Sequence, residues 1–368
     1  MKSYNGKKVL ITASTFGHIR SFHLPYIEEF SRLGWNVTVA CAGAPKSLEG
    51  ADRCVELPFK KSELSPDNLI ATALLRSLIK REKFDLVITH TTLAAFFTRL
   101  AMMFTKRPKV INVVHGYLYD ESTPAVKRFI YRAAEKLTAG VTDLVLTMNE
   151  YDFDEATKHR LAKRIEKIPG IGVDFEKNKA NKHFDIRKEF DIPDNAFLVT
   201  FPAELSSRKN QRVLLEALSE TSADVWLLLA GDGALDKEYK SLAEELGIAD
   251  RTVFPGFVKE IASAYAASDA AASSSKIEGL PFNVMEAMDA GLPVILSDIK
   301  GHRDLVQNGV NGLLYPRGNS KSLAKAIMKL KAEPETREKL GKAAKLSVEK
   351  YSLGNVLPQV MKKYLSLN

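Results

Sequence analysis

The 368-residue chain has only two cysteines, Cys41 and Cys54, too few for a disulfide framework, and this suits a reducing compartment. No apolar run approaches the ~18 residues that cross a bilayer. The small and apolar residues at 9–14 form a stretch shorter than the roughly 7–15-residue core of a secretory leader, and no small-residue cleavage site follows. That stretch reads as a first β-strand, so a cytoplasmic location is expected. There is no low-complexity segment and no repeat of fixed period. No basic stripe with interleaved aromatics occurs either, so nucleic acid is not expected as a partner.

Apolar residues make up 45 % and charged residues 27 %, which fits a globular class with enough apolar material for two cores. The length is too great for one ordinary open α/β domain and suits two. The net charge of +8 is one-sided. Residues 1–180 carry 28 Lys and Arg against 20 Asp and Glu, whereas 181–368 carry 25 of each. Two explanations stand: solubility, or an anionic partner for the first half, such as a phospholipid surface or a diphosphate-bearing acceptor.

Short β-branched runs alternate with helical stretches. In the first half, strands are expected at 9–13, 37–40, 86–89, 110–114 and 144–147, with helices at 22–32, 67–82, 93–105 and 124–139. In the second, strands are expected at 198–201, 225–230, 253–254, 270–273 and 294–297, with helices at 210–219, 235–246, 258–267 and 320–332. Such alternation predicts parallel sheets flanked by helices. The polar stretch 175–195 reads as a linker. The expected fold class is α/β: two Rossmann-like parallel-sheet domains, 1–180 and 181–350, facing across a cleft, with a last helix at 351–368. Ligands of such sheets bind beyond the carboxyl ends of the strands.

Three segments at those ends carry chemistry. After a strand ending at Ser273, the run Glu278-Gly-Leu-Pro-Phe-Asn-Val-Met-Glu286 leads into a helix near Pro281. Gly279 permits close backbone approach, and the N–H groups over Gly279, Leu280, Phe282 and Asn283, with the helix dipole, suit an anion. Two carboxylates bracket that site. Carboxylates suit hydroxyls rather than phosphates, and a ligand with both is a sugar nucleotide. Alternatively, both are acids favoured by the dipole at a helix start. The loop Glu204-Leu-Ser-Ser-Arg208-Lys209 places two cations where they could meet a diphosphate, or simply in solvent. Gly231-Asp-Gly233 ends the next strand in a turn.

The array Ala203-Glu-Leu…Lys209-Asn, Ala230-Gly-Asp-Gly, Glu278-Gly-Leu-Pro…Glu286-Ala-Met and Asp298-Ile-Lys-Gly301…Asn311-Gly-Leu-Leu resembles the retaining two-Rossmann-domain (GT-B) glycosyltransferases of family 4. The first half fits more loosely, through Gly17-His-Ile-Arg-Ser-Phe-His-Leu-Pro, His115-Gly116 and Ile168-Pro-Gly-Ile-Gly-Val-Asp174. The resemblance implies retaining transfer from a nucleotide-sugar donor, in surface-polysaccharide synthesis by family habit, with the donor uridine-linked. The acceptor would be lipid-linked or saccharide. It implies that Glu278 contacts donor-sugar hydroxyls, Glu286 the ribose, and Lys209 the diphosphate. Gly17 and Gly231 would lie along the donor. His115 would line the reaction centre, giving polar contact and charge stabilisation. The last helix would cross back to the first domain. The family usually has Arg where Glu204 stands, and Arg208 is taken as its substitute. It also often has two glycines where only Gly17 is present.

Four histidines, His18, His23, His90 and His115, fall near the carboxyl ends of expected strands, and His18 and His90 are assigned to the acceptor side. Asp152-Phe-Asp154 spells a metal-binding pair, but Asn149 before it reads as an N-cap, and side chains two apart on a helix diverge. No metal and no cofactor are expected. The run 93–107 is apolar nearly all round, so it reads either as a buried helix or as a membrane-touching face helped by Arg107 and Lys109. Two rival functions remain open: an epimerase or hydrolase acting on the sugar nucleotide alone, and a non-catalytic sugar-nucleotide sensor.

Overall fold

The computed structural model describes residues 4–60, 62–104, 106–176 and 185–367. Two compact units divide the chain, Met1–Ile171 with Gly354–Asn368, and Gly172–Leu353. The division expected between 180 and 181 lies outside the described residues. The chain enters the second unit earlier because Val173 is tied to the end of that unit: its N–H donates to Tyr351 O and its carbonyl accepts from Leu353 N.

The first unit holds seven parallel strands in the order β3-β2-β1-β4-β5-β6-β7. These are β1 (Lys8–Thr15), β2 (Asn36–Ala42), β3 (Arg53–Glu56), β4 (Leu86–Thr89), β5 (Lys109–Val114), β6 (Leu144–Thr147) and β7 (Arg164–Lys167). Its helices are α1 (Phe16–Phe22), α2 (Leu24–Arg32), α3 (Asp67–Glu82), α4 (Thr92–Ala101), α5 (Ala125–Thr138) and α6 (Glu150–His159). The inner strands β4 and β6 are buried throughout, as a parallel sheet covered on both faces requires. Asn149 caps α6, its side chain accepting from Asp152 N.

The second unit repeats the order with six parallel strands, β10-β9-β8-β11-β12-β13. They are β8 (Phe197–Thr200), β9 (Val225–Leu228), β10 (Thr252–Val253), β11 (Ala270–Ser273), β12 (Val294–Ser297) and β13 (Leu313–Tyr315). Its helices are α7 (Ile186–Glu189), α8 (Arg212–Ser219), α9 (Asp236–Glu245), α10 (Ile261–Ala267), α11 (Phe282–Asp289), α12 (His302–Leu305), α13 (Ser320–Ala332) and α14 (Pro334–Val348). Its core joins Val199 and Leu227 of the sheet, and Phe201 just beyond β8, to Leu214 and Leu218 of α8 and to Leu323 and Ile327 of α13. A final helix, α15 (Leu353–Leu365), belongs almost wholly to the first unit. There Tyr364 is buried against Tyr26 and Phe30, with ring centroids 5.7 and 6.1 Å away, and Lys363 pairs with Glu166.

In both units the strand order reverses beside the first strand, between β1 and β4 and between β8 and β11. Ligands of open α/β sheets settle beyond the carboxyl ends at such switch points.

The apolar helix near residue 93 is a buried one. Ala94, Ala95, Phe97 and Ala101 of α4 lie in the core, and Arg99 is held inside by Glu135, whose two oxygens are 3.0 and 3.1 Å away. Arg107 does not serve a surface either. Its guanidinium is 17 % exposed and clamps Asp143 at 2.6 and 3.1 Å. Lys109 begins β5, at the end of the sheet opposite His115.

Candidate active site

In the second unit, the loops leaving β8 and β11 are stitched together. Arg208 O accepts from Lys276 N at 2.9 Å, and Lys209 O accepts from Ser274 Oγ at 3.0 Å. Gln211 Nε2 donates to Glu204 O at 2.9 Å, bracing the first loop from within. These bonds bring the expected cations to the expected carboxylate. Lys209 Nζ lies 2.6 Å from Glu278 Oε1, and Arg208 Nη1 lies 3.2 Å from Oε2. Lys209 and Glu278 are buried, while the Arg208 side chain is 46 % exposed. Burial pushes the Glu278 carboxyl up, but Lys209 and Arg208 outweigh it and hold it at about 2. It is therefore ionised at any physiological pH. Glu204, where the family has a cation, is exposed.

Beside this pair stands a residue that the sequence reading did not single out. His302 Nδ1 lies 2.8 Å from Ser297 O, which can only accept, so Nδ1 carries the hydrogen. Nε2 is then a bare acceptor, fully buried and without a hydrogen-bond partner among the described residues. Burial lowers the imidazole to about 4, against the opposing pull of Glu278. A histidine following the quoted Asp298-Ile-Lys-Gly301 by one position was the available signal. Gly301 itself is obligatory. It adopts φ +79°, and a Cβ there would sit 2.5 Å from Gly279 O, so this turn presses directly on the Glu278–Gly279 backbone.

Helix α11 starts where expected, with Pro281 as its N-cap. Pro281 has no N–H; its carbonyl accepts from Met285 N at 3.3 Å. Gly279, Leu280, Phe282 and Asn283 supply the backbone of the turn, and Asn283 Nδ2 donates to Pro202 O at 2.8 Å. One turn further on, Glu286 Oε2 accepts from Tyr265 OH at 3.2 Å, and the same hydroxyl lies 2.9 Å from Asn283 O. Burial keeps Tyr265 protonated. Gly231 lines the neighbouring strand end, where a Cβ would meet Ala203 O at 2.2 Å.

In the first unit, the strand ends gather all four histidines of the sequence pattern. His18 rides on α1, His23 joins α1 to α2, and His90 and His115 follow β4 and β5. His90 Nδ1 and His115 Nε2 are 3.1 Å apart, His23 stacks on His90 at 3.7 Å, and His18 meets His115 at 4.8 Å between centroids. Burial and mutual repulsion hold His23, His90 and His115 well below the usual range, and burial alone takes His18 to about 4. All four are thus neutral imidazoles. Nitrogens of His18, His23 and His115 lie within 4.8 Å of one another, so this trio is the one grouping of metal-ligand type among the described residues. Gly17, in α1, would meet only Thr15 Oγ1, at 3.8 Å, if it carried a Cβ. The Asp152–Asp154 pair does not converge: Asp152 is buried, accepting from Tyr117 N and Asn149 Nδ2, while Asp154 is exposed.

A family model described as "Glycosyl transferases group 1" matches residues 182–347, and "Glycosyltransferase Family 4" matches residues 26–177. A Bacillus subtilis protein described as putative glycosyltransferase EpsD is 33 % identical over 367 residues, covering 97 % of this chain and 96 % of that one. An Escherichia coli UDP-Gal:alpha-D-GlcNAc-diphosphoundecaprenol alpha-1,3-galactosyltransferase is 27 % identical over 70 % of this chain and 68 % of its own. Among solved structures, Anabaena HepE with UDP and glucose superposes with a TM-score of 0.81 at 21 % identity, covering 98 % of this chain and 100 % of that one. At that identity the likeness is one of fold.

Proposed function

The chain belongs to the family 4 glycosyltransferases of GT-B fold, and from that membership we propose that it transfers a sugar, with retention, from a uridine diphosphate-linked donor to a hydroxyl of a lipid-linked or oligosaccharide acceptor in surface-polysaccharide synthesis. The donor is held by the second unit and the acceptor by the first. The observation that carries the reading is the buried ionised carboxylate of Glu278, bridged to Lys209 and Arg208 at the entry to α11. Such a cluster offers both halves of a nucleotide sugar what they need. The cations and the helix dipole meet the diphosphate, and the carboxylate accepts from sugar hydroxyls. Glu286 accepts from the ribose hydroxyls.

As the bond from the anomeric carbon to the diphosphate lengthens, negative charge grows on the departing oxygen. Lys209, Arg208 and the start of α11 stabilise that charge in place. No carboxylate is assigned as a covalent nucleophile, and the acceptor attacks on the face that the leaving group vacates. Neutral, desolvated imidazoles are poor bases. His115 therefore acts by polar contact and charge stabilisation rather than by holding a proton through the reaction, and His18 and His90 act on the acceptor side. Protein cations meet the phosphate charge, so no metal is required. The uridine donor and the lipid-linked acceptor take their support from the Escherichia coli relative, whose description carries both. The enzyme works in the cytoplasm.

The test is incubation with a panel of nucleotide sugars, with and without a polyprenyl-diphosphate-linked saccharide, in EDTA. The expected result is acceptor-dependent product whose anomeric configuration, read by NMR, matches the donor. Donor epimerised or hydrolysed without acceptor would establish the first rival function. Binding without turnover would establish the second. Activity lost in EDTA and restored by Mg²⁺ or Mn²⁺ would overturn the metal-free mechanism.

A further inference from the structure

Most of the large apolar side chains exposed among the described residues lie in the first unit, and the densest group is on α5. Val126, Phe129, Ile130 and Leu137 are 74, 68, 59 and 55 % exposed. At 3.6 residues per turn these positions fall within an arc of about 100°. Ala133, within the same arc, is exposed too. The opposite face packs inward, with Glu135 and Thr138 buried and Glu135 held by Arg99. Two exposed cations flank the stripe, Lys127 near its start and Lys136, which also donates to His159 O and Arg160 O, near its end. A helix with a bare apolar stripe edged by lysines is built to lie in a lipid–water interface.

Behind the stripe is a groove of about 220 Å³ between α4, α5 and the segment 117–119, walled by Leu93, Phe96, Phe97, Tyr117 and Tyr119. Ile130 belongs to both stripe and groove, and the exposed Leu64 and Leu118 border it as well. We propose that the outer face of α5 seats the protein on an anionic phospholipid bilayer and that the groove beside Ile130 receives a hydrocarbon chain from it. The charge pattern selects this occupant over a second copy of the chain. Pairing two copies through α5 would bring Lys127 and Lys136 against their own kind, whereas an anionic leaflet complements them. Among the described residues no helix is long and apolar enough to cross a membrane, so contact of this kind is peripheral. The inference deepens the lipid-linked acceptor reading, but it is tested without donor or turnover, so either can fail alone.

The experiment is co-sedimentation of the full chain with phosphatidylglycerol vesicles and with phosphatidylcholine vesicles. Binding to the anionic vesicles, weakening as salt rises, is expected. Phe129→Glu with Ile130→Glu should weaken it at least roughly tenfold. Lys127→Ala should weaken it about fivefold at low salt. Phe257→Glu, at an exposed apolar residue of the second unit, should leave binding unchanged and serves as the control. Brominated phosphatidylglycerol should quench a tryptophan placed by Leu118→Trp at the groove. Wild-type protein that ignores anionic vesicles, or a Phe129/Ile130 variant that binds as wild type does, would overturn the proposal. So would light scattering that finds a dimer dissolved by the same variant. A bound but unquenched Leu118→Trp would remove the hydrocarbon groove.

Discussion

Glu278 is buried yet charged because Lys209 and Arg208 stand 2.6 and 3.2 Å away, and each of the three depends on the others. Removing Lys209 strands a carboxylate inside the protein with only the half-exposed Arg208 for company. Lys209→Ala should cost ~3–5 kcal/mol of stability in denaturant melts, whereas Arg208→Ala should cost clearly less. Equal costs would mean that Lys209 is not the principal partner. The pH dependence follows the lowered carboxyl: the stabilisation is complete above about 4.5 and disappears as pH falls towards about 2. This residue set was largely legible in the sequence. Glycine, proline and two glutamates at fixed offsets mark the start of α11, and the two cations sit one strand earlier. His302 and Tyr265 were missed, because each meets its glutamate only through folding, 24 and 21 positions along the chain.

At the scale of elements, the long helices are the plainest. The helices expected at 67–82 and 320–332 coincide with α3 and α13. Short and half-exposed elements escaped, and so did the fifteen-residue α14. β3 and β7 are edge strands of four residues with exposed ends and no apolar run, and β13 and α12 are three and four residues long. Yet α12 matters to the site, since its N-cap glycine supports the backbone of Glu278 and Gly279. Gly301→Ala adds a methyl 2.5 Å from Gly279 O at a left-handed φ. It should destabilise the fold by ~1–3 kcal/mol and weaken nucleotide binding together with it. Wild-type stability and affinity in that variant would show that the turn and the loop are independent.

For the whole molecule, the alternation of strand and helix and the one-sided charge were visible in composition and order, while the gathering of four histidines at the ends of three strands required the sheet order. Those histidines and His302 stay neutral in the folded protein and protonate near 6.5 when it unfolds, with His18 and His302 lowered to about 4. Between those values the unfolded chain binds the extra protons, so stability must fall as pH falls, by about 1.4 kcal/mol per pH unit for each histidine kept neutral. His302→Gln should flatten the dependence of the melting temperature on pH in that window, and an unchanged slope would mean that His302 is protonated in the fold. The central claim assigns the donor nucleotide to the second unit and the acceptor to the first. Calorimetric titration of the full chain with nucleoside diphosphates tests it most directly. At least one should bind, Glu286→Gln should weaken that binding roughly 10–100-fold through a lost charge-assisted hydrogen bond, and His115→Asn should leave it intact while turnover falls. Binding untouched by Glu286→Gln, or abolished by His115→Asn, would contradict the assignment.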